Sequence, residues 1–169
     1  MHLAASDYIF KTFHSWRNEE DRKKLDVLEL GSFNINGSIK SYFTPFAKSY
    51  VGLDVQPGNG VDLVADAATY SNPEAYDVIV TAETFEHCEH WKQVIHHSYI
   101  NLKIDGIFIA TMAGEGRAPH SAIDTGPIRD WEHYHNIGEF ELTQALTKCG
   151  FNAVVTETLW TDLRCFAVK

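Results

Sequence analysis

Glu29 and Gly31 stand two residues apart at the end of the apolar run Val27-Leu28-Glu29-Leu30, and a turn of mostly small or polar residues follows through Ser32, Asn34, Gly37 and Ser38. An acid, then a glycine, then a turn leading into Ile39-Lys40-Ser41-Tyr42-Phe43 is how a buried strand hands over to a helix in a nucleotide-binding βαβ unit. A second apolar run, Tyr50-Val51-Gly52-Leu53, stops at Asp54. A carboxylate at that strand tip lies beside the glycine turn, where its two oxygens can accept both hydroxyls of a ribose. The alternative for Asp54 is an acid that only caps a strand end. A β-branched side chain at position 31 is expected to block the approach of a ligand while leaving the fold largely intact.

Two further stretches carry reactive side chains. Thr81-Ala82-Glu83-Thr84-Phe85-Glu86-His87 closes a fourth apolar run, at the sheet edge where ligands sit in open α/β folds. The segment from Ala113 to Pro127 is long and polar, with Glu115, Arg117, His120, Ser121 and Asp124, and Arg129, Trp131, Glu132, His133, Tyr134 and His135 follow it. Long loops in compact domains commonly carry function, so this one is where an acceptor is expected; a surface loop with a helix cap is the alternative. His120 is the leading candidate base, because imidazole titrates near neutrality. His87 and Glu83 come next. The run His87-Cys88-Glu89-His90, with His96 and His97 nearby, lacks three or four convergent ligands with supporting partners. No metal is expected from it.

These residues need a scaffold. Asp7 to Lys24 reads as an amphipathic helix with Tyr8, Ile9, Phe13 and Trp16 on one face, packed on the sheet edge rather than serving as a lid. Strands are expected at about Asp26–Leu30, Tyr50–Asp54, Val61–Ala65, Tyr76–Ala82 and Gly106–Thr111. Gln56-Pro57-Gly58-Asn59-Gly60 is a turn, and helices are expected at about Gly37–Phe46, Glu89–Leu102 and Ile137–Lys148. Gly150 is a natural helix stop. Two closing strands, Asn152–Glu157 and Leu163–Val168, follow without a long helix between them. Alternating strands and helices imply an α/β fold with a doubly wound, mostly parallel sheet. Residues 1–24 form the added helix and 25–169 a single domain.

At 169 residues with 44% apolar content, the chain is sized for one core. A net charge of −9 argues against a phosphate backbone as partner. The basic cluster Arg22-Lys23-Lys24 follows Glu19-Glu20-Asp21 and reads as a solvated helix end. No apolar run approaches the roughly 20 residues of a membrane helix. His2, Asp7 and Lys11 give the N-terminus no signal-peptide pattern. The three cysteines, Cys88, Cys149 and Cys165, lack metal or redox spacing, so reduced thiols and a cytoplasmic location are expected.

Taken together, the chain resembles class I (Rossmann-like) S-adenosylmethionine-dependent methyltransferases, by motif from Leu25 to Gly114 and by element order beyond. That family ends its first strand in an acid before the glycine turn and needs fewer glycines than a dinucleotide fold. Phe33 stands where a dinucleotide fingerprint requires its second glycine, and Phe33 and Ile35 both occupy positions where the family usually has glycine. The resemblance implies S-adenosyl-L-methionine as cofactor, contacted by Glu29, Gly31, Ser32, Asn34, Gly37, Asp54, Val55, Asp66 and Ala67. Asp54 would hold the ribose; Asp66 and the Ala67 N–H would read the adenine, unless Asp66 instead caps the next segment. A closing antiparallel hairpin is part of the same fold. Glu83-x-x-Glu86-His87 is similar to the sequence after strand four in many small-molecule methyltransferases, where His87 could also pack beneath the cofactor. Asn/Asp-Pro-Pro-Tyr and Pro-Cys, which serve DNA base methylation, are absent. The expected activity is methyl transfer to a small-molecule or sugar-type acceptor. An NAD(P)-binding oxidoreductase and a non-catalytic domain that binds S-adenosylmethionine are the alternatives.

Overall fold

The computed structural model describes residues 3–16, 20 and 23–169. Along the chain come α1 (Leu3–Trp16), β1 (Leu25–Leu30), α2 (Lys40–Phe43), β2 (Ala47–Asp54), β3 (Leu63–Val64), β4 (Tyr76–Ala82), α3 (Trp91–Asn101), β5 (Leu102–Ala113), α4 (Glu139–Cys149), β6 (Asn152–Leu159) and β7 (Asp162–Val168). The strands form one sheet in the order β3-β2-β1-β4-β5-β7-β6. All neighbours are parallel except β7, which runs antiparallel to both β5 and β6. This is the expected α/β sheet with its closing hairpin. The chain leaves β1 toward β2 and β3, then returns to β4 on the other side of β1. Strand order therefore reverses between β1 and β4, the crevice where ligands bind in such sheets.

Both faces of the sheet are covered, which is why β1 and β4 are almost continuously apolar and buried. On one face α1 presents Ala5, Ile9 and Phe13, at i, i+4 and i+8, and all three are fully buried. Ile9 and Phe13 pack with Val27, Phe43, Val80 and Ile109. Burying each such side chain contributes about 1.5–3 kcal/mol. On the other face Val94 and Ile95 of α3 and Leu142 and Leu146 of α4 meet Leu28, Ile79 and Phe108. Gly150, at φ +103, ends α4 with its N–H donated to the carbonyls of Leu146 and Thr147.

Several expected elements are corrected. The helix expected over 37–46 is a single turn, Lys40–Phe43. Gly37 sits at φ +140, where no helix can pass. Asn34 and Ser38 accept backbone N–H groups from Gly37 and Lys40, which holds the approach as a loop. Pro45 then blocks continuation. β3 is two residues long rather than five, and β5 begins at Leu102 directly after α3. Helix α1 lies over the face of β5 and β7, not at the sheet edge. Of the helix expected over 7–24 and its charged end, residues 17–19 and 21–22 lie outside the described residues. Among the described residues no helix is long and apolar enough to cross a membrane, and all three cysteines are free.

Candidate active site

The carboxyl ends of β1, β2 and β4 open into a cavity of about 640 Å3, closed on the far side by the loop between β5 and α4. Glu29, Gly31, Ser32, Gly37, Asp54, Val55, Asp66 and Ala67 all line it, as do Glu83, His87 and His120. Of the residues expected to contact the cofactor or to act as the base, Asn34 alone does not line it, and of the loop residues named with them Glu115, Asp124, Arg129, Tyr134 and His135 do not either. The Asn34 side-chain oxygen accepts the Gly37 N–H at 2.9 Å, and its own N–H donates to Asn59.

Gly31 turns the chain out of β1 at φ +71, a conformation that glycine adopts without strain. A β-carbon there would lie 2.2 Å from Thr84 Oγ1 and 2.9 Å from Thr84 Cβ. A side chain at 31 would therefore meet Thr84 and strain the backbone, in addition to any block it sets against a ligand.

Glu29 is 6% exposed, and Tyr50 donates its hydroxyl to Oε2 at 2.5 Å. Burial pushes the Glu29 carboxyl up to about 7 against the opposing pull of the Tyr50 hydrogen bond. At the tip of β2, Asp54 accepts the N–H of Phe33 at 3.1 Å on one oxygen and that of Gln56 at 3.0 Å on the other. It therefore pins the glycine turn to β2, while each oxygen keeps a second lone pair. Asp66 accepts the Ala68 N–H at 2.8 Å, and its carbonyl accepts those of Thr69 and Tyr70, so it does cap the following turn.

On the opposite wall, a single 3₁₀ turn, Phe85–His87, follows β4. Glu83 precedes it at φ +55, its N–H bonded to Thr111 at 2.8 Å. Arg117 reaches Glu83 at 3.5 Å, donates to Thr161 Oγ1 at 3.0 Å and pairs with Asp162. The guanidinium thus ties the loop to both β4 and the β6–β7 hairpin. The rings of His87 and His120 stand edge to face with centroids 5.0 Å apart, and Tyr134 lies 5.4 and 5.1 Å from them. Burial first, and His120 second, lower the His87 imidazole to about 4, so it is neutral at physiological pH. Glu86 is fully buried; burial, with Glu83 after it, lifts its carboxyl far above the usual range. Within the loop, Glu132 accepts from Ser121 at 2.7 Å and Arg129 at 3.3 Å, and Arg129 also holds Asp124 at 2.6 Å.

Glu89 and His90 are exposed, at the turn that opens α3, so the local run His87–His90 does not converge. The sequence places Glu86 in the motif after β4, and Glu132 and Tyr134 in the acceptor segment, but gives none of the three a role. Glu86 lay in plain view beside His87, but nothing local indicated that it would be wholly buried.

A family model described as a methyltransferase domain matches residues 7–156. The chain belongs to that family. S-adenosylmethionine is its cofactor and methyl transfer its activity. No curated protein matches this methyltransferase in sequence. Solved structures share its fold. The Burkholderia thailandensis 1,6-didemethyltoxoflavin-N1-methyltransferase, with bound 1,6-didemethyltoxoflavin and S-adenosylhomocysteine, is 15% identical, with a TM-score of 0.72 over 98% of this chain and 78% of that one. An S-adenosylmethionine-dependent methyltransferase from Mesorhizobium loti is 16% identical, with a TM-score of 0.69 over 99% of both chains. The Haemonchus contortus phosphoethanolamine N-methyltransferase 2, in complex with S-adenosyl-L-methionine, is 14% identical, with a TM-score of 0.73 over 99% of this chain and 52% of that one.

Proposed function

We propose that this methyltransferase acts on a small-molecule or sugar-type acceptor in the cytoplasm, and that the acceptor binds between the 3₁₀ turn and the loop after β5. One observation carries the proposal: a single cavity has two chemically different ends. Its acidic end, with Glu29, Asp54 and Asp66 at the strand tips, suits the cationic methionine portion and the hydroxyl-rich nucleoside of the cofactor. Glu29, Gly31, Ser32 and Gly37 would surround the former. Asp54 and Val55 would meet the ribose, and Asp66 and Ala67 the adenine. Asn34 would act indirectly, by shaping the turn.

The other end carries His87, His120, Glu83 and the 71%-exposed Trp131, which gives a flat surface on which a sugar or aromatic ring can stack. The net charge of −9 and the acids around the cavity disfavour a nucleic-acid acceptor.

The sulfonium methyl arrives activated when the cofactor is bound. The protein's task is alignment, which can supply about 7–11 kcal/mol. The loop, fixed by Arg117 to Glu83 and the hairpin, would hold the acceptor in line. Where the acceptor must lose a proton as it reacts, His120 would take it, adding about 10²–10⁴-fold. Neutral His87 would orient the acceptor as a hydrogen-bond partner.

The direct test is S-adenosylhomocysteine release with panels of small hydroxylated and heterocyclic acceptors, beside RNA, DNA and protein. Turnover confined to small molecules supports the proposal, and turnover confined to macromolecules contradicts it.

A further inference from the structure

Glu86 is completely buried, and neither carboxylate oxygen has a hydrogen-bond partner among the described residues. The N–H groups of Glu86 itself and of Ala113 lie near the carboxyl without hydrogen-bond geometry. His87 Nδ1 is likewise buried and unpartnered. An unsatisfied buried carboxylate costs several kcal/mol unless a proton or a cation compensates it. The same two side chains, joined by His120 from the far loop, bring one ligand atom each to within 4.8 Å of one another.

We propose that Glu86, His87 and His120 form a three-ligand site for a divalent cation of the zinc class, with its remaining positions open to the cavity. Two imidazoles and one carboxylate are the ligand set of catalytic rather than structural zinc sites, which keep a position for water or substrate. His87 and His120 line the cavity, so that position faces the acceptor end. His120 is prepared for the role: its Nδ1 lies 3.2 Å from the Ala118 carbonyl, and the tautomer that donates there leaves Nε2 as the ligand atom. Metal-bound histidines characteristically donate their second ring N–H to a backbone carbonyl in this way. Bonds of about 2.1 Å place tetrahedral ligands about 3.4 Å apart. The loop carrying His120 would therefore settle to that spacing as the cation binds.

The site does not depend on the acceptor assignment. It deepens it in one respect: in the loaded protein, an acceptor hydroxyl bound to the cation would lose its proton to solvent, with His120 serving as ligand rather than base.

The test uses the full chain after treatment with chelator. Zn2+ is titrated in competition with a chromogenic chelator, and Co2+ is used as a spectroscopic probe. S-adenosylhomocysteine binding is measured in parallel. Expected are one Zn2+ per chain and the intense visible absorption of four- or five-coordinate Co2+. Affinity should fall about 100-fold or more in both Glu86→Gln and His120→Ala, at least the loss that removing a supporting partner causes. Circular dichroism confirms that each variant is folded, and His120→Ala, in a loop, does not disturb the core. The double variant His96→Ala/His97→Ala should bind as the parent does. Absence of Zn2+ binding overturns the proposal, and so does binding that survives both ligand substitutions. Zn2+ binding without S-adenosylhomocysteine binding would leave the metal site standing and contradict the cofactor placement; the reverse result would do the opposite.

Discussion

The ring of Phe33 lies against the α-carbon of Gly58: a β-carbon on residue 58 would fall 2.2 Å from Phe33 Cε2. Phe33 occupies a place in the turn after β1 where glycine is usual, and Gly58 gives up its side chain in the neighbouring turn. The two loops are further joined by the Asn34 N–H, donated to Asn59 at 2.8 Å, and Phe33 lines the cavity. The Phe33 ring thus fills the space that a side chain on residue 58, 25 positions later, would need.

Gly58→Ala should therefore cost about 1–3 kcal/mol by overpacking. In a Phe33→Ala background the same substitution should cost far less, because the ring it displaces is gone. Urea unfolding of the two single variants and the double variant measures the coupling. Strictly additive losses would show that the two residues do not compete for space.

Glu29 makes stability depend on pH. Its carboxyl titrates at about 7 in the folded protein against 4.5 in the unfolded chain, so the fold holds a proton that the unfolded state has released. The associated stability is present below about 4.5 and is lost as pH rises through 7, amounting to about 3 kcal/mol. His87, lowered to about 4 from 6.5, works in the opposite sense: its stability is present above 6.5 and lost as pH falls through 4. Comparing Glu29→Gln with the parent isolates the first effect. The variant's relative stability should improve steadily from pH 5 to pH 8 in thermal unfolding. A constant difference would contradict the assignment.

The parts of this account that depend on neighbours along the chain were legible in the sequence. β4 falls at Tyr76–Ala82 as read, and the acids at 29, 54 and 66 stand at one sheet edge. Strands buried on both faces announce themselves by apolar runs, and parallel pairing fixes which ends come together. What failed was local competition: Gly37 and Pro45 leave α2 one turn, although the residues between them suit a helix. What could not be seen was partnership at long range. Nothing near Arg117 indicates that it joins Glu83 to Asp162, and nothing near Glu86 shows that the sheet and loop would bury it.

His120 and His87 separate by kinetics. If His120 is the base, His120→Ala should lower kcat about 10²–10⁴-fold and leave S-adenosylhomocysteine affinity nearly unchanged. His87→Ala, nearer the strand tips and half-buried, should weaken cofactor binding as well as rate. Full turnover by His120→Ala on an identified acceptor would remove the loop from catalysis and leave His87 or Glu83 as the better candidate.

The central claim is that the acids at the strand tips bind S-adenosylmethionine, and Asp54 tests it most directly. Calorimetric titration with S-adenosylhomocysteine should show binding to the parent, and no comparable binding of NAD or NADP. Asp54→Ala removes the charged acceptor proposed for the ribose, and the two hydrogen bonds, from Phe33 and Gln56, that pin the glycine turn. It should lose about 2–4 kcal/mol, or about 30- to 1,000-fold, in affinity while remaining folded. A folded Asp54→Ala variant that binds S-adenosylhomocysteine as tightly as the parent would contradict the account.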